Sequence, residues 1–560
     1  MRLPLALALL AVLASPALAQ HEGLLEVDSD LAQFLLRQQT AGRLPGAPMD
    51  VQPISAYDAQ RWLDSLALDL EALPSVDRAL LSRYRGETPG PNAERVRGLL
   101  GGGVYSDGET VFAAEGDGWG LEIDPLLYVV AGQARRTETA TREPTAPAWQ
   151  SSRGVRFAGH VGKHIFFHSQ IEENQVRPAI LQTLDADPNS RAGLTAPRRG
   201  DINVAGGTTL DYWGVSGAVG YRDRFLEVRL GRDDNRWGPG RNSLVLSDFA
   251  STHDQLQVRA QFGPVRYTSN FARLQDPVRP TTPSSNFLPS KYGAFHRLQL
   301  ALPANLDLGL SEAVIFADDT TDGLRRGFDV GYLNPVIFYR AVEAQNGSSD
   351  NVLLSADLAW RPVPGVRTYG QLILDEFRFS EFGTDWWGNK FGWMLGAHLV
   401  DPGLAGLDLR VEFARLRPYL YSHRSEFTAF THWADGLGHP AGPNAQDLSV
   451  FGRYRPLPNV EAAFNLAYTI RGLNTETENF GSDPRVSFDT RIDDFGIETL
   501  QGVRQTQWLG EVRVGVEVLP RLMLEATAVG QVWETDSEET RAVAVLGGVR
   551  WGVPFRSERW

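Results

Sequence analysis

The stretch Trp508-Leu509-Gly510-Glu511-Val512-Arg513-Val514-Gly515-Val516-Glu517-Val518 decides the fold. Its side chains alternate with a period of two, which is the period of an extended strand. One face carries Trp508 and four valines, and the other carries Glu511, Arg513 and Glu517. Charges of both signs opposite an apolar face indicate a strand with lipid on one side and water on the other, as in a transmembrane β-barrel.

The same alternation recurs at 255–262 and 407–413, within a series of candidate strands that runs from residue 122 to residue 551. Tight turns such as Gly162-Lys163 and Gly263-Pro264 alternate with long connections such as 172–208. Short turns on one rim and long loops on the other are typical of outer-membrane barrels. The sequence therefore predicts an all-β transmembrane barrel of about 18 antiparallel strands.

The N-terminal part of the chain has a different pattern. A positive start, an apolar run and Ala17-Leu18-Ala19 predict a signal peptide that is cleaved before Gln20. Residues 31–39 are amphipathic at helical spacing, and Ser55 is placed to cap a second helix. We therefore expect a signal peptide (1–19), a small periplasmic α-helical domain (20–100) and an outer-membrane β-barrel (101–560).

Composition excludes several classes of function. The chain has 560 residues, no cysteine and a formal net charge of −14, which argues against disulfides, thiolate metal sites and nucleic-acid binding. No hydrolase or nucleotide-binding motif is present, so we expect no enzyme activity, no cofactor and no metal. Asp375 and Glu376, as neighbours on a strand end, should face opposite sides, which argues against a paired-carboxylate glycosidase site.

A polar loop, Asp233-Asp234-Asn235-Arg236-Trp237-Gly238-Pro239-Gly240-Arg241-Asn242, holds the first candidate ligand-binding residues. Arg236 and Arg241 could bind the carboxylates of acidic sugars, with Trp237 stacked on a sugar face and Asn242 beside them. In the alternative interpretation the loop folds into the barrel and constricts the pore, and Arg236 and Arg241 pair with Asp233 and Asp234.

Several blocks of sequence in one order resemble the capsule assembly Wzi family of outer-membrane proteins. They are Arg236-Trp237-Gly238-Pro239-Gly240 with residues 243–247, then 334–343, 347–351, 370–377, 417–424 and 439–444. Residues 334–351 are similar to the form found in a Bacteroidetes-like branch of the family. The resemblance implies a barrel with a helical domain on the periplasmic side that helps to hold capsular polysaccharide at the cell surface.

These blocks supply the remaining candidate polysaccharide contacts: Tyr339, Arg340, Glu343, Tyr421, His423 and Arg424. For Tyr339, Arg340 and Glu343, a buried polar network inside the barrel is the alternative to ligand contact. Trp386, Trp387 and Trp393 are interpreted as aromatics of the membrane interface rather than as a sugar platform.

The leading hypothesis is a non-enzymatic barrel in the cell outer membrane that binds or organises capsular or extracellular polysaccharide. Its expected partners are surface polysaccharide, outer-membrane lipid and periplasmic export machinery, with no nucleic acid. Two alternatives stay open at this point. One is a diffusion channel similar to a sugar porin, and the other is a gliding-motility surface protein, since some members of the branch carry that description.

Overall fold

The computed structural model describes residues 26–138, 145–178, 199–206, 208–276, 290–317, 329–334, 338–346 and 350–553, with the backbone alone at 141–142 and 194–196. The predicted signal peptide and its cleavage site before Gln20 lie outside these residues. Among the described residues, no helix combines the length and the apolar character needed to cross a membrane.

Eighteen antiparallel strands form a closed barrel, which confirms the predicted fold class. They are β1 Trp119–Glu138, β2 Ala146–Val161, β3 Ile165–Arg177, β4 Thr209–Arg222, β5 Leu226–Asp233, β6 His253–Phe262, β7 Val265–Gln275, β8 Ser290–Leu302, β9 Leu306–Ala317, β10 Asn351–Val363, β11 Val366–Asp375, β12 Phe391–Val400, β13 Leu407–Leu416, β14 Ala445–Leu457, β15 Val460–Leu473, β16 Val503–Leu519, β17 Leu522–Thr535 and β18 Glu539–Trp551.

Each strand pairs with the next along the chain, and β18 closes the barrel on β1, from Leu127↔Trp551 to Glu138↔Thr540. The tight turns lie at one end of the barrel, here called the short-turn end, and the long connections lie at the other, the long-loop end. Closure leaves no free strand edge, which a structure within lipid requires because lipid cannot hydrogen-bond the backbone.

The two faces of β16 are placed as its alternation predicts. Trp508 and Val512 are 54% and 51% exposed on the outer surface. Arg513 is buried inside the barrel, where its Nη2 lies 3.1 Å from Glu461 Oε1 and its Nη1 lies 3.4 Å from Glu525 Oε2. The apolar exterior therefore meets lipid, while ion pairs across neighbouring strands neutralise the interior.

Between residue 26 and the barrel, the structure has four α-helices: α1 Asp30–Thr40, α2 Ala56–Ala67, α3 Ser75–Tyr84 and α4 Ala93–Leu100. As predicted, Ser55 caps α2, with its Oγ accepting from the backbone N–H of Asp58 at 3.1 Å. Helices α1 to α3 share a small apolar core, α4 packs through Ala93 in a separate cluster with Tyr105 and Val111, and the helices lie against the short-turn end. Arg37 pairs there with Asp401 at 2.7 Å, and Arg83 pairs with Glu517 at 2.6 Å. A further helix, α5 Tyr339–Asn346, lies between β9 and β10.

The outward face of β16 can be tested by placing a charge on it. We expect Val512→Arg to destabilise the barrel by about 2–4 kcal/mol, because a guanidinium near mid-membrane must leave water. Gln505→Arg, on the inward face of the same strand, is the control and should cost far less. Urea unfolding in lipid vesicles, followed by tryptophan fluorescence, measures both. Equal losses for the two variants would contradict the assigned faces.

Candidate functional site

The loop between β5 and β6 folds into the barrel interior instead of extending from the rim. Trp237 is fully buried, and its ring packs edge-on against Phe295 with the centroids 6.3 Å apart. Val51 pairs with Trp237 and Gln52 with Arg236 in a two-stranded antiparallel sheet. A segment that enters from the short-turn end therefore meets, inside the barrel, a loop that enters from the long-loop end.

An apolar core surrounds this contact and occupies the side of the lumen bounded by β7 to β13. Its members come from the inward loops and from inward-facing strand positions: Val51, Trp237, Leu244, Val245, Leu246, Ala250, Ala272, Leu274, Phe295, Ala313, Ile315, Leu353, Ile373, Met394, Ala414, Leu416, Leu420, Tyr421, Phe430, Leu437, Ala441 and Ala445. This part of the barrel is packed like the interior of a soluble domain.

Asp28, from the N-terminal segment, holds the two arginines of the loop. Its Oδ1 lies 2.7 Å from Arg236 Nη2, and its Oδ2 lies 3.1 Å from Arg241 Nη1. Burial alone would raise the pKa of Asp28, but the guanidiniums of Arg236 and Arg241 outweigh burial and hold the pKa well below its usual range. The loop does fold inward, as the alternative interpretation predicts.

The predicted pairing of Arg236 and Arg241 with Asp233 and Asp234 is wrong, because both arginines pair with Asp28. Asp233 is the last residue of β5, and its carboxylate lies 3.1 Å from His168 Nε2 on the adjacent barrel wall. Arg236 follows after the chain has left the strand, so its side chain points towards the N-terminal segment and not back to the wall. Sequence proximity within the loop does not reveal this long-range partner.

Glu412 on β13 fixes the second half of the loop. Its carboxylate accepts hydrogen bonds from the backbone N–H of Arg241 at 2.6 Å and from the side-chain amide of Asn242 at 2.8 Å. The hydroxyl of Tyr369 donates to it at 2.7 Å. Gly238 has φ +133°, and a Cβ there would come within 2.8 Å of Gln371. The sequence showed Glu412 only as one polar position of a strand.

Tyr421 and His423 are buried within the long-loop end. The Tyr421 hydroxyl donates to the carbonyl of Leu244 at 2.8 Å, and its backbone N–H donates to Asp375 Oδ2 at 2.8 Å. The His423 ring lies 2.6 Å from Thr428 Oγ1 and packs against Phe488. Burial, followed by the charge of Lys390, lowers the pKa of His423 to about 3. These two side chains therefore hold loops together.

Arg424 and Arg340 are the candidates that reach solvent. The Arg424 side chain is 69% exposed and lies 3.4 Å from Asp489. Tyr339 is buried, with its ring stacked on His296 at 4.3 Å, whereas the Arg340 side chain next to it is exposed. The side chain of Glu343 lies outside the described residues. The candidates with described side chains thus do not form one site: Tyr421 packs in the core around Trp237, whereas Arg424 and Arg340 are exposed.

Asp375 and Glu376 do not diverge, contrary to the sequence prediction. Asp375 Oδ1 lies 3.0 Å and Glu376 Oε1 lies 3.5 Å from the ammonium of the buried Lys390. The reason is that β11 ends at Asp375, and Glu376 takes a left-handed φ of +54° that turns its side chain back. The two carboxylates share one ammonium, and Asp375 is fully buried.

A cluster of tryptophans and arginines lies at the long-loop end. The guanidinium of Arg378 lies 4.5 Å above the ring of Trp386, and that of Arg491 lies 4.2 Å above Trp387. Trp387 also packs against Phe488 at 4.8 Å, beside His423. We call Arg378, Trp386, Trp387, Arg424 and Arg491 the tryptophan patch.

Of the three tryptophans predicted to be membrane-interface aromatics, Trp393 lies on a barrel strand, and Trp386 and Trp387 lie in a connection between strands. The ring of Trp393 lies on the outer face of β12, 5.5 Å from Phe413 of β13. Trp387 differs because its loop folds onto Tyr419 and Phe488. The Trp-Trp pair within a long connection was the available sequence signal for the patch. Within the described part of the chain, no group of three or more His, Asp or Glu side chains is arranged to hold a metal ion.

Removing the charge of Asp28 tests the contact inside the barrel. We expect Asp28→Asn to destabilise the fold by about 3–5 kcal/mol, because the buried guanidinium of Arg236 and the partly buried one of Arg241 lose their carboxylate. Asp30→Asn, two residues away on a half-exposed side chain that pairs with Arg453, is the matched control and should cost about 1 kcal/mol or less. Urea midpoints measure both, and equal losses would contradict the role given to Asp28.

The His423 environment predicts a pH dependence. The pKa in the fold lies below the ordinary value of 6.5, so the fold favours the neutral ring and loses stability as the pH falls from about 6.5 towards 3. Between pH 7 and 5, His423→Gln should reduce the wild-type loss of unfolding free energy by about 2 kcal/mol. His164→Gln, at an exposed position, should leave the wild-type dependence unchanged. An unaltered slope in His423→Gln would refute the prediction.

Comparisons with known proteins agree with this architecture. No curated protein sequence matches the chain. Among solved structures, Wzi of Escherichia coli is described as an outer-membrane protein involved in group 1 capsule assembly and as a carbohydrate-binding β-barrel. It is similar with a TM-score of 0.53 at 14% identity, over 96% of this chain and 100% of that chain.

Two Pseudomonas aeruginosa barrels are more distant. OccK8 (OprE) has a TM-score of 0.39 at 9% identity, over 76% of this chain and 97% of that chain. OccK2 (OpdF) in complex with glucuronate has 0.38 at 10% identity, over 77% and 98%. The family model for capsule assembly protein Wzi matches residues 216–543, more than half of the chain. The chain therefore belongs to the capsule assembly Wzi family of outer-membrane β-barrel proteins.

Proposed function

We propose that this barrel binds capsular polysaccharide at its long-loop end and holds it at the cell surface, without catalysing a reaction. The Escherichia coli relative described as carbohydrate-binding supports the class of ligand. The observation that carries the proposal is the core around Trp237 and Val51, which occupies one side of the lumen. A polysaccharide chain would then meet the barrel at its loops and would not pass through it.

The arrangement of turns supports one orientation in the membrane. Outer-membrane barrels place their short turns in the periplasm and their long loops outside the cell. On that basis the helices α1 to α4 face the periplasm, and the tryptophan patch faces the capsule. Leu99 and Leu100 at the end of α4 are 76% and 71% exposed, and they are where we propose that periplasmic export machinery makes contact.

The tryptophan patch has the chemistry to bind an acidic polysaccharide. Indole rings stack on the apolar faces of sugars, and arginine forks bind carboxylates in a bidentate geometry. We assign direct contact to Trp386, Arg424 and Arg340, whose side chains are at least partly accessible. The buried members of the candidate set instead hold the loops in position: Arg236, Trp237, Asn242, Tyr339, Tyr421 and His423.

Arg241 has an intermediate role in this proposal. Its side chain is 24% exposed and lies 4.7 Å above the ring of Phe451, at the edge of a cleft that separates the inward loop from β14. Because its guanidinium also pairs with Asp28, a change at Arg241 would alter the fold of the loop as well as any ligand contact. It is therefore a poor position at which to test binding.

Binding of the purified barrel to capsular polysaccharide from the same cells tests the proposal. We expect Trp386→Ala and Arg424→Gln each to weaken binding about five- to tenfold, the effect of about 1–1.4 kcal/mol. The matched control is Arg541→Gln, which removes another exposed arginine that pairs with a neighbouring carboxylate, Glu539. It should leave the affinity unchanged. Biolayer interferometry with immobilised polysaccharide gives the affinities.

Two results would contradict the proposal. One is an absence of binding to any polysaccharide of the parent cell by a correctly folded barrel. The other is a large and steady ionic conductance in planar bilayers, which would favour the diffusion channel. Deletion of the gene adds a cellular readout: capsule that stays attached while surface motility fails would favour the gliding-motility alternative.

A further inference from the structure

An open pocket lies at the short-turn end, between the start of α2 and the rim formed by β4 to β7. It is separate from the tryptophan patch at the opposite end of the barrel. Its lining includes Tyr57 from α2 and, from the barrel, Arg222, Phe225, Glu227, Arg259 and Arg266.

The central arginine of this pocket lacks a full set of partners. Arg259 is 7% exposed, and its Nη1 donates to the carbonyl of Pro53 at 2.8 Å. Its Nε and Nη2 are buried and have no hydrogen-bond partner in the protein, and neither has Nη1 of Arg222. Glu227 Oε1 lies 3.8 Å from Arg259 Nη1, beyond hydrogen-bond distance. Three guanidinium nitrogens of this pocket are therefore without an acceptor, against one acceptor without a donor, Glu227 Oε1.

Two other arginines show a guanidinium whose charge is paired with carboxylates of the protein, even though Nε of Arg297 has no hydrogen-bond partner. Arg297 binds both oxygens of Asp357, and Arg83 pairs with both Glu109 and Glu517. Even within the pocket, Arg266 donates to Asp58 at 2.9 Å. Buried charges are costly unless they are paired and hydrogen-bonded. The free N–H groups of Arg259 and Arg222 thus indicate an anion that comes from outside the chain.

The surface beside the pocket is apolar and faces lipid. Phe225 and Phe262 are 45% and 61% exposed, and their rings stack at 5.7 Å. Leu226, which also lines the pocket, is 37% exposed on the same outer face. The guanidinium of Arg224 lies 4.6 Å above the Phe225 ring. An anionic group bound by the arginines would therefore adjoin a surface suited to hydrocarbon chains.

We propose that this pocket binds the phosphate of an anionic phospholipid from the membrane leaflet at the short-turn end. The two non-ester oxygens of the phosphodiester are acceptors for the free N–H groups of Arg259 and Arg222, and the acyl chains lie along Phe225, Leu226 and Phe262. The proposal is independent of polysaccharide binding, which is assigned to the other end of the barrel.

Native mass spectrometry of the full chain tests the proposal. In detergent with added phosphatidylglycerol, the wild-type barrel should retain one lipid after activation that strips the others, and it should retain no diacylglycerol, which lacks the phosphate. Arg259→Gln and Arg222→Gln should each reduce the retained phosphatidylglycerol at least tenfold. Arg85→Gln removes the same charge from the helical segment outside the pocket and should retain lipid as the wild type does.

Every outcome decides the proposal. Equal retention of phosphatidylglycerol and diacylglycerol, or wild-type retention by both pocket variants, would overturn it, because either result places the lipid on the outer surface alone. Binding of inorganic phosphate to the pocket without retention of phospholipid would also overturn it. If Arg259→Gln does not fold, Arg222→Gln and the diacylglycerol comparison still separate these outcomes.

Discussion

The membrane offers no hydrogen bonds, and this constraint governs the whole structure. Backbone groups must pair with one another, so the strands must close into a barrel. A closed barrel gives every strand one lipid face and one inner face, so charged side chains within the membrane belong on the side of the lumen. The lumen must then neutralise them, and it does so through cross-strand pairs such as Arg513 with Glu461 and Arg297 with Asp357.

A barrel of this width has more interior than its own side chains can fill, so other parts of the chain occupy it. The N-terminal segment enters from one end and the loop after β5 enters from the other, and they meet at Val51 and Trp237. Asp28 supplies the negative charge that pairs with the buried Arg236 and the partly buried Arg241. The family sequence block at 236–240 is therefore explained first by packing and charge balance inside the barrel. Polysaccharide contact is better assigned to exposed side chains of other loops.

The strands could be predicted from the sequence because their signal is local. Alternation at 508–518 and tight turns at Gly162 or Gly263 need no knowledge of distant residues. The Ser55 cap is equally local. The contacts between loops are different in kind. Arg236 pairs with Asp28, which is 208 positions away in the sequence. Glu412 accepts a hydrogen bond from Asn242, which is 170 positions away. Glu376 departs from its expected direction because one residue leaves the strand in a left-handed conformation. Neither the long-range contacts nor the left-handed residue produces a periodic pattern in the sequence.

The strand pair formed by Val51–Gln52 and Arg236–Trp237 also joins two parts of the chain mechanically. A polymer held by the outer loops transmits drag from the cell surroundings to the barrel. Within the barrel, the inward loop is joined to the N-terminal segment by antiparallel hydrogen bonds and by the ion pairs of Asp28. A load on the loop is therefore shared with the helices at the opposite rim, and the strand wall does not carry it alone. The N-terminal segment and the inward loop thus connect the two ends of the barrel through its lumen.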